Sequence, residues 1–257
     1  MRALTSVLLG LFRPATGFDR AGAATRWLWM PLLALLVLSV AIKAGVATPL
    51  QTAATEEQSR QALEREMESW PEEQRRQYER DMAQFEADMG LEEGGAMQAA
   101  TSIAATAALV FGVLGAVAAV LYVATFFFVA AKTWASPVRY PVMLTVAALS
   151  LVPHAFRNLL QAAYMSATGT WLQHSGLGAL VAPADPMQPP GVAYAVLAQL
   201  DIWVLWGLAI LFATLLSQTV GFARKRAVTA LLTFVGVTGV LQALPTIIAS
   251  AFMGAVM

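Results

Sequence analysis

The sequence predicts an all-α, polytopic integral membrane protein. It has five transmembrane helices, an N-terminal amphipathic helix and an external helical segment. Three observations carry this. The 257 residues are 58% hydrophobic and only 12% charged, against about 45–50% and about 25% for soluble domains. Residues 193–226 are an apolar run long enough to cross a bilayer, containing one acid, Asp201, and closing on Arg224-Lys225-Arg226. Charge is segregated: 13 of the 16 acids lie between Glu56 and Glu93.

Residues 1–26 open the chain as a cytoplasmic amphipathic segment. Leu4, Val7, Leu8, Leu11 and Phe12 recur at helical spacing between Arg2 and Arg13, and Pro14 stops the pattern. This suits a helix lying in the membrane interface. A signal peptide is the rival reading, but no small-residue cleavage site precedes the next apolar run. That run, 27–47, is the first span, with Trp27 and Trp29 as interfacial aromatics and Lys43 able to snorkel.

Residues 48–100 form the acidic external segment, with 13 acidic and 5 basic residues, net −8. Leu63, Met67, Trp70, Tyr78, Met82 and Phe85 recur among the charges at helical spacing. Ser69-Trp70-Pro71-Glu72 reads as a capping box. It predicts two amphipathic helices, the second ending at Gly90. The apolar stripe either packs on the membrane domain or docks a partner.

Residues 101–257 form a four-helix membrane region. The second span, about 102–131, carries Ala104, Ala108, Gly112 and Ala116 every fourth residue, a stripe that admits a neighbouring helix. The third span, about 141–165, is the least apolar. His154, Arg157, Asn158 and Gln161 share one helix face, and Pro153 predicts a kink ahead of them. Residues 166–192 are a Pro/Gly-rich loop with a short re-entrant part around 171–181. The fourth span is 193–222 and the fifth 227–256, joined by the basic turn Arg224-Lys225-Arg226.

Basic residues set the orientation. Four arginines precede the first span, Lys132 and Arg139 flank one turn, and three basic residues form the other. The positive-inside rule places these in the cytoplasm and the C-terminus outside. The chain is expected in the cytoplasmic (inner) membrane, embedded in the lipid bilayer.

The pattern resembles the Yip1 domain family in its bacterial form. The residues that carry the resemblance are Leu11-Phe12-Arg13-Pro14, then Ser69-Trp70-Pro71-Glu72-Glu73-Gln74, Leu200-Asp201-Ile202-Trp203 with Trp206, and Arg224-Lys225-Arg226. The resemblance implies a five-span protein without enzymatic activity. Eukaryotic members act in vesicle traffic with Rab GTPases, and some bacterial ones are associated with ABC-type exporters. Here the first cytoplasmic segment is short for a GTPase-binding domain, so a membrane-protein partner is the expectation.

Chemistry is sparse. The chain has no cysteine, which excludes disulfides and thiolate metal sites, and its two histidines disfavour a multi-histidine site. HExxH is absent, no second acid shares the membrane with Asp201, and His174-Ser175-Gly176 is an isolated fragment. Glu72-Glu73-Gln74-Arg75-Arg76 lacks the spacing of a membrane protease motif. No enzyme activity, cofactor, metal or nucleic-acid partner is expected, and the oligomeric state stays open.

The candidate site is the polar cluster of Asp201, Arg157, His154, Asn158 and Gln161. Residue counts place Asp201 and Arg157 at nearly the same depth, ~12–14 Å below the outer boundary. An ion deep in lipid costs on the order of 3 kcal/mol, which a partner offsets. Three readings are open: a structural salt bridge, a solute or proton path with His154, and a contact for a partner's helix. Two functions follow. One is an accessory or assembly factor for another membrane complex, such as an ABC-type exporter. The other is a small transporter or channel whose polar path runs by Asp201, Arg157 and His154.

Overall fold

The computed structural model describes residues 12–21, 25–88, 95–134, 136–172, 176–182, 192–198 and 201–256. Most of the N-terminal amphipathic stretch, Gly90, the His174-Ser175 pair and Leu200 lie outside them. The described residues contain helix and no strand. In order the α-helices are α1 (Pro14–Ala21), α2 (Trp29–Glu68), α3 (Glu72–Asp88), α4 (Gly95–Thr133), α5 (Tyr140–Ser150), α6 (Val152–Thr168), α7 (Val192–Leu197), α8 (Ile202–Leu215) and α9 (Arg224–Val256). A 3₁₀ turn, Gly176–Val181, sits between α6 and α7.

Among the described residues three helical stretches are long and apolar enough to cross a membrane: Trp29–Glu68, Ala105–Thr133 and Tyr140–Thr168. Membrane-spanning helices make this an integral membrane protein. α8 is apolar but has only 14 residues, short of the ~20 that span hydrocarbon.

Several boundaries depart from the sequence reading. The helix of the first span runs on past residue 47. α2 continues through Pro49 to Glu68, because the Gln-, Ala-, Glu- and Arg-rich residues that follow are good helix formers. The break at Trp70-Pro71 is present, but not as a capping box. The Ser69 hydroxyl donates backwards to the Glu66 carbonyl at 2.7 Å rather than accepting from the next helix. α4 starts at Gly95, ahead of the expected 102.

The third span divides at Leu151, two residues ahead of the expected Pro153 kink. Pro153 occupies the second position of α6, where its missing N–H removes no helical bond. The Ser150 hydroxyl bonds the Ala147 carbonyl at 2.8 Å within the last turn of α5.

The fourth span is not continuous. α7 has 6 residues, and α8 begins anew at Ile202. Asp201 stands at the junction with extended backbone, φ −138° and ψ 169°. An aspartate inside an apolar helix gains nothing from its backbone, whereas at an N-cap it satisfies a free N–H. The basic triplet is not a turn either. Arg224, Lys225 and Arg226 open α9, and the chain reverses just before them, through Gly221 at φ +75°.

Two compact units divide the chain. The first comprises Met1–Ser39, Gly115–Asn158 and Gln173–Met257. Its core holds Phe127, Met143, Leu149, Ile210, Leu211 and Leu215, all fully buried. α5 packs on α8, α1 packs on α8, and α9 packs on both α7 and α8. The Thr145 hydroxyl on α5 bonds the Thr25 carbonyl ahead of α2. Phe126, Phe127 and Tyr122 of α4 meet the ring of Phe234 on α9 at 5.2–5.6 Å.

The second unit comprises Val40–Leu114 and Leu159–Leu172. In it one residue of the small-residue stripe of α4, Gly112, lies against α2. A Cβ at Gly112 would lie 2.9 Å from the Val40 side chain of α2. Trp70 and Tyr78 pack edge to face at 5.6 Å across the α2–α3 break.

α8 lies directly against α5 at Gly207. A Cβ there would fall 2.6 Å from the Ser150 carbonyl oxygen, a backbone atom that cannot swing aside. Gly207→Ala should therefore overpack the α5–α8 contact by about 1–3 kcal/mol. Gly236→Ala, where a Cβ meets nothing within 4 Å, should stay near wild type. Thermal unfolding in detergent checks both, and equal melting temperatures for the two would rule out the close contact.

Candidate functional site

Asp201 does two things at the start of α8. Its Oδ1 accepts the Val204 N–H at 2.8 Å, capping the helix. Its Oδ2 lies 2.8 Å from Nη1 of Arg157. The side chains are 8% and 18% exposed, respectively, so the charges meet where water screens them little. A carboxylate at a helix N-terminus is further favoured by the helix dipole. Arg157 reaches it from α6, one turn beyond His154.

His154, Asn158 and Gln161 go different ways. His154 Nδ1 is buried and has no hydrogen-bond partner among the described residues. Asn158 donates to the Ser39 hydroxyl of α2 at 3.4 Å. Gln161 belongs to the second unit, where its buried Oε1 has no hydrogen-bond partner among the described residues. Of the expected cluster, Asp201 and Arg157 form an ion pair, His154 lies one turn before Arg157, and Asn158 bridges to α2.

A cavity of about 500 Å³ adjoins the pair. Ser150, His154 and Arg157 line one wall, α8 from Val204 to Leu211 another, and α4 and α9 close it. The Tyr122 and Thr238 hydroxyls bond each other at 3.1 Å on the far side. Phe156 of α6 stacks on Trp206 of α8 at 6.3 Å, and Trp206 also meets Trp203.

A second polar site was not found in the sequence reading. Asp19 of α1 accepts the Thr219 N–H at 3.0 Å, the Thr219 hydroxyl at 2.8 Å and the Gln218 N–H at 3.2 Å. It clamps the turn that follows α8. Around the same turn the Ser136 hydroxyl donates to the Val220 carbonyl at 3.0 Å. Arg226 donates to the Trp134 carbonyl at 3.3 Å, and Trp134 packs edge to face on Phe222. Segments 12–21, 134–139 and 217–226 therefore gather at one end of the first unit. The available signal was rarity. Asp19 is one of three acids outside the acidic segment.

The docking candidates lie in the second unit. Leu63, Met67, Trp70 and Tyr78 are half-buried, while Met82 and Phe85 are exposed. The ion pairs Arg60–Glu64 and Arg76–Glu72 are exposed pairs within one helix and contribute little. Arg224 and Lys225 are exposed, and Arg226 is exposed apart from its bond to Trp134.

The Yip1 domain model matches residues 9–245. The chain belongs to the Yip1 domain family. The match takes in α1, the arm formed by α2 and α3, the ion pair and the start of α9. The Yip1 family is one of membrane proteins, generally non-enzymatic. No curated protein matches the sequence, and no solved structure matches the fold.

Breaking the ion pair from one side strands a charge, which costs ~3–5 kcal/mol where burial is complete. Asp201→Asn keeps a good N-cap and loses only the charge. Arg157→Gln strands the carboxylate. Each should lower the melting temperature, and the double variant should recover much of the loss. Asp201→Ala should cost about 1 kcal/mol more than Asp201→Asn, through the lost cap. Thermal unfolding of the four variants checks this, and additive single losses would mean the two residues act independently.

Proposed function

We propose that this Yip1-family protein is a non-catalytic partner of another membrane complex, of the kind an ABC-type exporter presents, in a bacterial inner membrane. The observation that carries the reading is the α2–α3 arm. On α3, Met82 and Phe85 are 41% and 49% exposed on a helix made mostly of charged and polar residues. Apolar side chains left uncovered on an acidic arm suit a protein contact more than an internal one. The docking face is Leu63, Met67, Trp70, Tyr78, Met82 and Phe85.

The polar cluster supports a scaffold role. Asp201 is engaged by both Val204 and Arg157, so neither charge is left to act on a solute. The alternative is a small transporter or channel using Asp201, Arg157 and His154. It draws on the cavity beside the pair, and it predicts solute flux in liposomes that Asp201→Asn abolishes.

We infer a five-span topology, with the α8 region and α9 as the fourth and fifth spans, the N-terminus cytoplasmic and the C-terminus external. Arg224, Lys225 and Arg226 support it. Three cations at the positive end of a helix oppose its dipole, so they suit membrane orientation better than helix stability. The segments that gather around the Asp19 clamp are the ones assigned to the cytoplasm.

The native chain has no cysteine, so single cysteines report the topology. Gln84→Cys, on the exposed surface of α3, should react with a membrane-impermeant maleimide in intact cells. Pro137→Cys should react only after permeabilisation, and the reverse pattern would invert the orientation.

Removing Glu72–Asp88 should leave the protein inserted, with its melting temperature within a few degrees of wild type. Partner capture in mild detergent should be lost. A deletion that instead destroys the protein would make the arm an internal packing element, and undiminished capture would place the docking face elsewhere.

A further inference from the structure

We infer that the cavity beside the Arg157–Asp201 pair is a binding site for a neutral, single-chain amphiphile that enters from the bilayer. Its size, about 500 Å³, falls within the range of small-molecule sites, ~300–1,000 Å³. Its lining is mainly apolar, with Val123, Leu208, Leu211 and Phe234 prominent. Water is held in a buried site by two to four polar partners, and these walls suit a hydrocarbon chain better.

The polar groups determine the head. Arg157 has its charge matched by Asp201 at 2.8 Å, so the pair brings no net charge to the wall. An anionic head would add an uncompensated charge beside the Asp201 carboxylate, in a medium where that is costly. The hydroxyls of Tyr122 and Thr238 are already bonded to each other. His154 also lines the cavity, and its buried Nδ1 has no hydrogen-bond partner among the described residues. A rotation of the imidazole would turn that nitrogen to a hydroxyl-bearing head. Burial makes such an orphan atom costly, and one hydrogen bond from the ligand would remove that cost.

The mouth determines the route. Leu205 of α8 is 60% exposed and Val235 of α9 is 43% exposed, and both line the cavity. The route rests on the five-span reading, in which α8 and α9 lie in the bilayer: exposed apolar side chains there face acyl chains, so the side of the cavity that Leu205 and Val235 line opens laterally. Gly239 lines the same side, and a Cβ there would meet nothing within 4 Å. The opening is free of side chain at that point.

The site does not depend on the proposed protein partner. Its test uses the purified full-length chain alone, so the two readings fail separately. The probe is a monoacylglycerol with a diazirine near the end of its chain, in nanodiscs of neutral phospholipid. Adducts mapped by mass spectrometry should concentrate on Leu208–Leu211 and Val235–Gly239, and a hundredfold excess of unlabelled monoacylglycerol should suppress them. Gly239→Phe fills open space and should cut this labelling about tenfold, with an unchanged melting temperature. His154→Leu should cut it severalfold, yet leave labelling by an alkyl diazirine without a head group unaltered. Labelling spread evenly to the exposed face of α4 at Phe111 and Leu114, without competition in the wild-type protein, would overturn the site. So would stronger labelling by the corresponding fatty acid at pH 8, where its head is ionised, because the neutral-head argument would then be wrong.

Discussion

One carboxylate holds the central part of the fold in place. Asp201 ends the irregular chain before α8, caps that helix through Val204 and pairs with Arg157 on α6. Each role makes the others affordable. An aspartate so little exposed needs a cation. Arg157, also largely withdrawn from water, needs an anion. A helix that starts inside a membrane protein leaves N–H groups that bulk water cannot reach. Putting the acid at the junction meets all three demands with one side chain. Had α8 run on unbroken from α7, the acid would lie on the helix side and the cap bond would be absent.

The other end of α8 follows the same logic. The turn after Leu215 presents the N–H groups of Gln218 and Thr219, and the Asp19 carboxylate accepts both. α8 is thus a 14-residue helix with an acid fixing the chain at each end. One acid comes from the residue before it and one from a helix near the N-terminus. Side-chain packing on α5 does the rest, with Gly207 letting the helices come within contact of the Ser150 carbonyl. Two of the three acids outside the acidic segment are therefore structural ties for one short helix.

The sequence conveyed bulk properties well and local breaks poorly. Apolar length and charge segregation are summed over many residues, so the helical membrane class and the three long spans stood out. Depth is also a summed quantity, and counting residues put Arg157 level with Asp201. The breaks depend on single residues whose signals conflict. Asp201 lies within an apolar run, and hydropathy outweighed its preference for an N-cap. Pro153 signalled a disruption, and the chain breaks at Leu151, in the turn just before it. Ser69 showed the pattern of a cap, in which its oxygen would accept an N–H of the next helix, yet its hydroxyl donates backwards to the Glu66 carbonyl. The Asp19 clamp joins residues about 200 apart, and no local pattern announces such a contact.

The same short helix accounts for the cavity. α8 meets α5 at Gly207, where a Cβ would fall 2.6 Å from the Ser150 carbonyl oxygen. Leu205 and Leu208 of the same helix line the cavity, as does Gly239 of α9, where a Cβ would meet nothing within 4 Å. Two glycines with opposite consequences thus bound one space: at one a side chain is excluded, at the other there is room for it. Filling that space with larger side chains would have made a tighter bundle. Leaving it next to a charge-balanced pair and an unbonded histidine nitrogen yields a mainly apolar volume with a few polar groups on its walls. That is the shape of an amphiphile, and it ties the break at Asp201 to the capacity of the bundle to hold something.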